Sequence, residues 1–212
     1  MTLRRAGPFA ILIGGALWLV AHWNELPARL PVHWNWRLQP DSFLASAPIS
    51  AALPLLLGLV ACLLMAALQT GLRRSVPSSA QRESTLDVIL ASEYLIAVVC
   101  CGMLAASATN GRLLKPVLLL SFAGVLALLV FAFRVAGRVP PEQPRNPAAW
   151  RAGFFYVDRA DPALFVPKRS GYGYTFNFGN PAALLITLLL VVVPLVIAVG
   201  LCLSARGRSL PH

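Results

Sequence analysis

The densest group of chemistry-bearing side chains in the chain is His33-Trp34-Asn35-Trp36, with Asp41 a few residues on. Aromatic side chains make large apolar contacts, and polar neighbours fix orientation. Together they could bind a peptide or a lipid headgroup. His22, Glu25, His33 and Asp41 also carry the donor types of a zinc site, although no pair among them has metal-ligand spacing on a helix. A plainer reading is an interfacial loop. Tryptophans settle at headgroup depth, the prolines between Leu26 and Phe43 stiffen the chain, and Asp41 caps the helix that follows.

Glu93 is the second candidate. It falls about two turns into a long apolar run, where an ionisable side chain costs roughly 2.5–3.5 kcal/mol if it lies at the bilayer centre. Such residues face a bundle interior and serve a polar pathway, or they form an ion pair. Here the run's inner end is near, so water, Arg73, Arg74 or Arg82 are the expected partners. Lys115 is less informative, because its long stem snorkels to the interface. A third group is Asp158 and Asp161, followed by Lys168 and Arg169. Two aspartates three apart could hold a cation, but Asp161-Pro162 more simply starts a turn. Gly171-Tyr172-Gly173 lacks the Gly-Lys-Ser/Thr and the strand-to-helix context of a phosphate loop. No catalytic constellation is visible, so a non-enzymatic protein without cofactor or metal is expected.

The elements that must position these residues are mostly apolar helices. Of 212 residues, 58% are hydrophobic and 12% charged, and runs of about 18 or more apolar residues can span a membrane. The fold class expected is an α-helical polytopic membrane protein of about five spans: Pro8 to Trp23, Ser46 to Leu72, Leu86 to Thr109, Leu113 to Phe133 and Pro181 to Ala205. Gly14 and Gly15 would allow a close neighbour on the first span, and Pro54 should kink the second. Ser84, or Thr85 one residue later, is the expected N-cap of the third, with Asp87 in its first turn. Asn110-Gly111-Arg112 marks a tight turn. The organisation expected is a four-helix membrane region over residues 1–138, with a loop at 24–45. A linker and short β module follow over 139–180, then the last helix and tail over 181–212. The module opens with Pro140, Pro141, Pro144 and Pro147. It carries strand candidates at 154–157 and 164–166, and an aromatic face on Tyr172, Tyr174, Phe176 and Phe178 at period two. Ser170-Gly171 supplies a turn. Cys62, Cys100, Cys101 and Cys202 all fall in apolar runs without metal or redox spacing and read as packing residues.

The net charge of +10 would favour nucleic acid in a soluble protein, but here the arginines flank apolar runs as topological anchors. The lipid bilayer is the partner, with no direct nucleic acid. With the N-terminus inside, inner segments hold twelve Lys and Arg and outer segments six. This predicts a cytoplasmic N-terminus, an extracytoplasmic C-terminus, an extracytoplasmic first loop and a cytoplasmic β module.

Two segments resemble known families. Leu26, Pro27, Leu30, Pro31, His33, Trp34, Asn35 and Asp41 resemble the signature of the bacterial membrane domain of unknown function 1648, although the usual glycine after the asparagine is replaced by Trp36, Arg37 and Leu38. That domain also occurs in SdpI-type proteins, which protect cells against a secreted toxin peptide and relay its presence to a repressor. Tyr156, Asp161, Pro162, Leu164 through Arg169, Gly171, Gly173, Tyr174, Thr175, Asn177 and Phe178 are similar to the short domain of unknown function 5808. The resemblances imply an SdpI-like bacterial inner-membrane protein for sensing, or immunity to, an extracytoplasmic peptide or envelope factor, with a cytoplasmic regulator as inner partner. The alternative is a small transporter or permease subunit with Glu93 on its pathway.

Overall fold

A computed structural model describes residues 3–138, 146–169 and 173–206, with only some side chains described in the last helix. Four helices among the described residues are long and apolar enough to cross a membrane: α1 (Leu3–Ala21), α2 (Pro48–Ser75), α3 (Ala80–Ala108) and α4 (Leu114–Ala136). A further helix, α5 (Pro181–Arg206), ends the described chain. Apolar side chains all round a helix suit a hydrocarbon surround, and α4 has none of its most apolar window buried.

Between α1 and α2 the expected loop is instead a β-hairpin, β1 (Arg29–Trp34) paired antiparallel with β2 (Pro40–Ala45). Three prolines obscure it in the sequence. In a two-stranded ribbon both strands are edges, and there a proline's missing N–H removes no obligatory ladder bond. Pro31 and Pro40 therefore sit within strands, and the register shifts around His33.

The helix boundaries follow local hydrogen bonding. α2 begins at Pro48, where the absent N–H costs nothing, and it continues through Pro54. Asp41 lies in β2 and does not cap it; Ser50 Oγ accepts instead from the Ala47 amide at 3.0 Å. The expected cap of α3 is also corrected. Ser79 Oγ accepts from the Arg82 amide at 3.1 Å, so the helix starts one turn earlier. Ser84 and Thr85 sit inside it, bonded back to the carbonyls of Ala80 and Gln81. Polar residues compatible with either loop or helix concealed that turn. Between α3 and α4 the chain reverses at Asn110 and Gly111, both with positive φ (51° and 82°).

The chain divides into two compact units. The first takes in residues up to Leu63 and Leu90–Leu128. Its core is Leu12 and Leu19 of α1, Leu30 of β1, Ala51, Leu55 and Cys62 of α2, and Ala97 and Leu104 of α3. Gly15 meets Leu55 and Cys101 so closely that a Cβ would collide, whereas Gly14 faces open space. Cys62, Cys100 and Cys101 are free thiols packed among the helices; the side chain of Cys202 lies outside the described residues.

The second unit covers Leu64–Ile89 and Leu129–Leu201. It holds two short antiparallel hairpins, β3 (Trp150–Arg151) with β4 (Phe155–Tyr156), and β5 (Phe165–Pro167) with β6 (Tyr174–Phe176). A parallel bridge from Tyr156 to Asn177 joins them. Of the aromatic alternation, Tyr174 and Phe176 lie in the three-residue strand β6, and Phe178 follows it. Tyr174 and Phe176 lie with Phe165 against Leu68, Leu72 and Val76 of α2 and its loop, and Leu86 of α3. Pro147 opens a 3-10 turn capped by Asn146. Pro140, Pro141, Pro144, Ser170, Gly171 and Tyr172 lie outside the described residues.

Candidate functional site

The first hairpin is held from below and open at its tip. Leu30 is 2% exposed and belongs to the core of its unit, a burial that contributes roughly 2 kcal/mol. The neighbouring Pro31 carbonyl accepts from buried Ser107 Oγ near the end of α3, at 2.9 Å. Trp34 closes the third contact. Its indole lies over Gly111, where a Cβ would stand 3.0 Å from Nε1. Gly111 is thus required twice, for its left-handed backbone and for the space the indole fills.

The tip is a tight turn. Asn35 N donates to the Gln39 carbonyl at 2.9 Å, and Leu38 N to the Asn35 carbonyl at 2.8 Å. The Asn35 side-chain oxygen accepts from the amides of Arg37 and Gln39, at 2.9 and 3.1 Å. Leu38, in the region where the family pattern carries a glycine, takes a positive φ (59°). An L-residue there is strained by roughly 1–2 kcal/mol, and the side-chain hydrogen bonds of Asn35 hold the turn closed against that cost.

Of the expected residues, the fold brings His33 and Asp41 together: Nδ1 and Oδ1 are 2.5 Å apart, with side chains 68% and 42% exposed. Trp36 is 83% exposed, and the Arg37 guanidinium lies over its ring, 4.6 Å from the centroid. Arg37 is a member of the exposed group that residue type alone did not single out. Trp34 and Asn35 build the hairpin, whereas His33, Trp36, Arg37 and Asp41 are offered at its surface. His22 does not join them, because it stacks on Trp18 and bonds the Trp18 carbonyl at 3.0 Å. Among the described residues no three His, Cys, Asp or Glu side chains converge as metal ligands.

Glu93 is 1% exposed and does not reach water. Its backbone carbonyl lies 3.8 Å from Cys62 Sγ. Two of the cations expected beside it are engaged elsewhere. Arg82 pairs with Glu83 at 2.7 Å, and Arg73 approaches Glu83 at 3.6 Å. An apolar groove of about 430 Å³ in the first unit is lined by α1, Trp23 and α2 from Phe9 to Leu59 and does not include Glu93.

The module of the second unit is organised around Asn177, which is fully buried. Its side-chain oxygen accepts from the amides of Asp158 and Gly179, at 3.0 and 2.9 Å. Its Nδ2 donates to the carbonyls of Asp158 and Asp161, both at 2.8 Å. Every bonding capacity of that amide is filled. Tyr156, 1% exposed, donates to Asp161 Oδ2 at 3.2 Å. The other Asp161 oxygen accepts from the Ala163 amide beyond Pro162, so this carboxylate shapes a turn. Asp158 bonds Asn146 Nδ2 and the Ala160 amide, and those bonds hold its carboxyl below the usual range. The Gly173 carbonyl accepts from Lys168 N at 2.9 Å and from Gln81 Nε2 at 3.0 Å, which ties the hairpin to the first turn of α3. Lys168 and Arg169 stand exposed beside it.

The comparisons with known proteins agree with both segments. Residues 10–58 match a domain of unknown function, DUF1648. Residues 159–184 match a family of unknown function, DUF5808. The DUF1648 match covers α1 from residue 10 on, the first hairpin and the start of α2, and the DUF5808 match runs from the Asp161 turn into α5. No curated protein and no solved structure matches the chain.

Proposed function

We propose that this is a non-enzymatic, SdpI-like protein of the bacterial inner membrane that meets an extracytoplasmic peptide or envelope factor through its first hairpin. The observation that carries the reading is the division of labour there. Leu30, Pro31 and Trp34 fix the hairpin on its helices, while His33, Asp41, Trp36 and Arg37 are presented together and exposed. A fixed platform binds without ordering itself first, which lowers the entropic cost of recognition. An exposed indole with a guanidinium over it suits a peptide partner, since Trp and Arg dominate such contacts. The positive-inside count places this hairpin outside and the β module inside, with α5 as a fifth span. The module then braces the helix ends, or passes the event to a cytoplasmic regulator.

The test is survival of cells challenged with a secreted toxin peptide. Wild-type chain should protect, and the triple variant His33→Ala, Trp36→Ala, Asp41→Ala should lose protection at unchanged membrane abundance. Full protection by the triple variant rejects the reading. Burial of Glu93 inside a span supports the alternative, a small transporter. In that case Glu93→Gln abolishes uptake or efflux and the hairpin variants do not.

A further inference from the structure

Exposed apolar side chains are expected on spanning helices, but those on the β module need another explanation. The turn joining β3 to β4 presents two adjacent phenylalanines, Phe154 at 76% and Phe155 at 51% exposure. The turn is tightly built. Ala152 and Gly153 both have positive φ (49° and 78°), and Phe154 N donates to the Arg151 carbonyl at 3.2 Å. The ladder then sorts the side chains. Trp150 and Tyr156 are partners and face the module core, where their rings meet edge to face at 5.5 Å. Arg151 and Phe155, also partners, take the opposite face.

Two further observations say what covers this face. The first is position. The Phe155 ring lies 5.5 Å from Phe178, three residues before α5 begins at Pro181. The same module packs Phe165, Tyr174 and Phe176 on Leu72 and Leu86 of α2 and α3, two helices long and apolar enough to span. The turn therefore lies beside helix ends at a membrane boundary. The second is charge. Arg151, Arg159, Lys168 and Arg169 are exposed on the module. The acidic side chains described in the same segment are engaged within it, Asp158 by Asn146 and Asp161 by Tyr156. Paired aromatics among exposed cations match the headgroup layer of an anionic bilayer, where apolar rings enter the acyl boundary and cations meet phosphate.

We propose that the β3–β4 turn is a membrane-docking element that inserts Phe154 and Phe155 into an anionic bilayer surface, with Arg151 and Arg159 on the phosphates. The proposal does not depend on what the first hairpin recognises. The test uses the full chain carrying dansylalanine at position 154, in nanodiscs of phosphatidylcholine alone or mixed with phosphatidylglycerol. Brominated acyl chains serve as the quencher. Blue-shifted emission, quenched by the brominated chains in the mixed discs, is expected, and Arg151→Glu with Arg159→Glu should reduce the quenching several-fold. Water-like, unquenched emission in both lipids overturns the proposal. Blue-shifted but unquenched emission also overturns it, because the ring then lies against protein. Equal quenching with and without phosphatidylglycerol overturns the anionic selectivity.

Discussion

His33 and Asp41 are eight residues apart in the chain and 2.5 Å apart in space, because a turn held by Asn35 folds one strand onto the other. Elsewhere a single side chain carries a whole module. Asn177→Ala removes four hydrogen bonds and leaves two part-buried carbonyls without those donors, an expected loss of about 3 kcal/mol. Amide exchange at Asp158 and Gly179 should rise steeply; protection as in the wild type would assign the module's order to its aromatic packing. Asp158 gives a pH dependence with a definite sign. Its carboxyl is depressed, first by Asn146 and then by the Ala160 amide. A depressed carboxylate stabilises the fold above its unfolded pKa of about 3.9, and the contribution is lost as pH falls from there through the folded value. Asn146→Ala should move the Asp158 titration back toward the ordinary range in a carbon-13 NMR titration and lessen the module's loss of order in acid.

At the scale of elements, the first hairpin combines a strained turn with a fixed base. Leu38 at φ 59° stands where glycine costs nothing in backbone strain. Leu38→Gly should stabilise the hairpin by about 1 kcal/mol, read as slower amide exchange at Asn35 and Gln39, with the His33–Asp41 pair retained. Faster exchange would show that the Leu38 side chain contributes more than its backbone costs. The hairpin was legible in sequence as a dense group and as a family pattern, but not as strands. Its prolines argue against a sheet interior, and only a two-stranded ribbon, all edge, accommodates them. The start of α3 was missed for a related reason. Ser79 and Ser84 are equally good caps by type, and the Ser79 bond to Arg82 N decides between them.

For the whole molecule, long apolar runs separated by short polar segments specify a helical membrane protein, and four such helices stand among the described residues. The proposed sidedness rests on the count of Lys and Arg and is testable. Reporter fusions after Ser46 and within Leu113–Lys115 should report the outside, and fusions after Ser75 and Arg138 the inside. The opposite pattern inverts the assignment and places the first hairpin in the cytoplasm. Conductance or uptake that depends on Glu93 would move attention to α3, where burial rather than sequence depth marks that residue.

Hydrophobic run length determined the membrane class of this chain, and residue pattern determined its two family segments, because both are local properties readable in a few tens of residues. Tertiary structure alone decided which side chains of the first segment build and which present. Trp34 and Trp36 are the same residue type two positions apart, yet one lies over Gly111 and the other is open to solvent. That difference is set by what the end of α3 offers to β1: the Ser107 hydroxyl and a glycine turn with room for one indole.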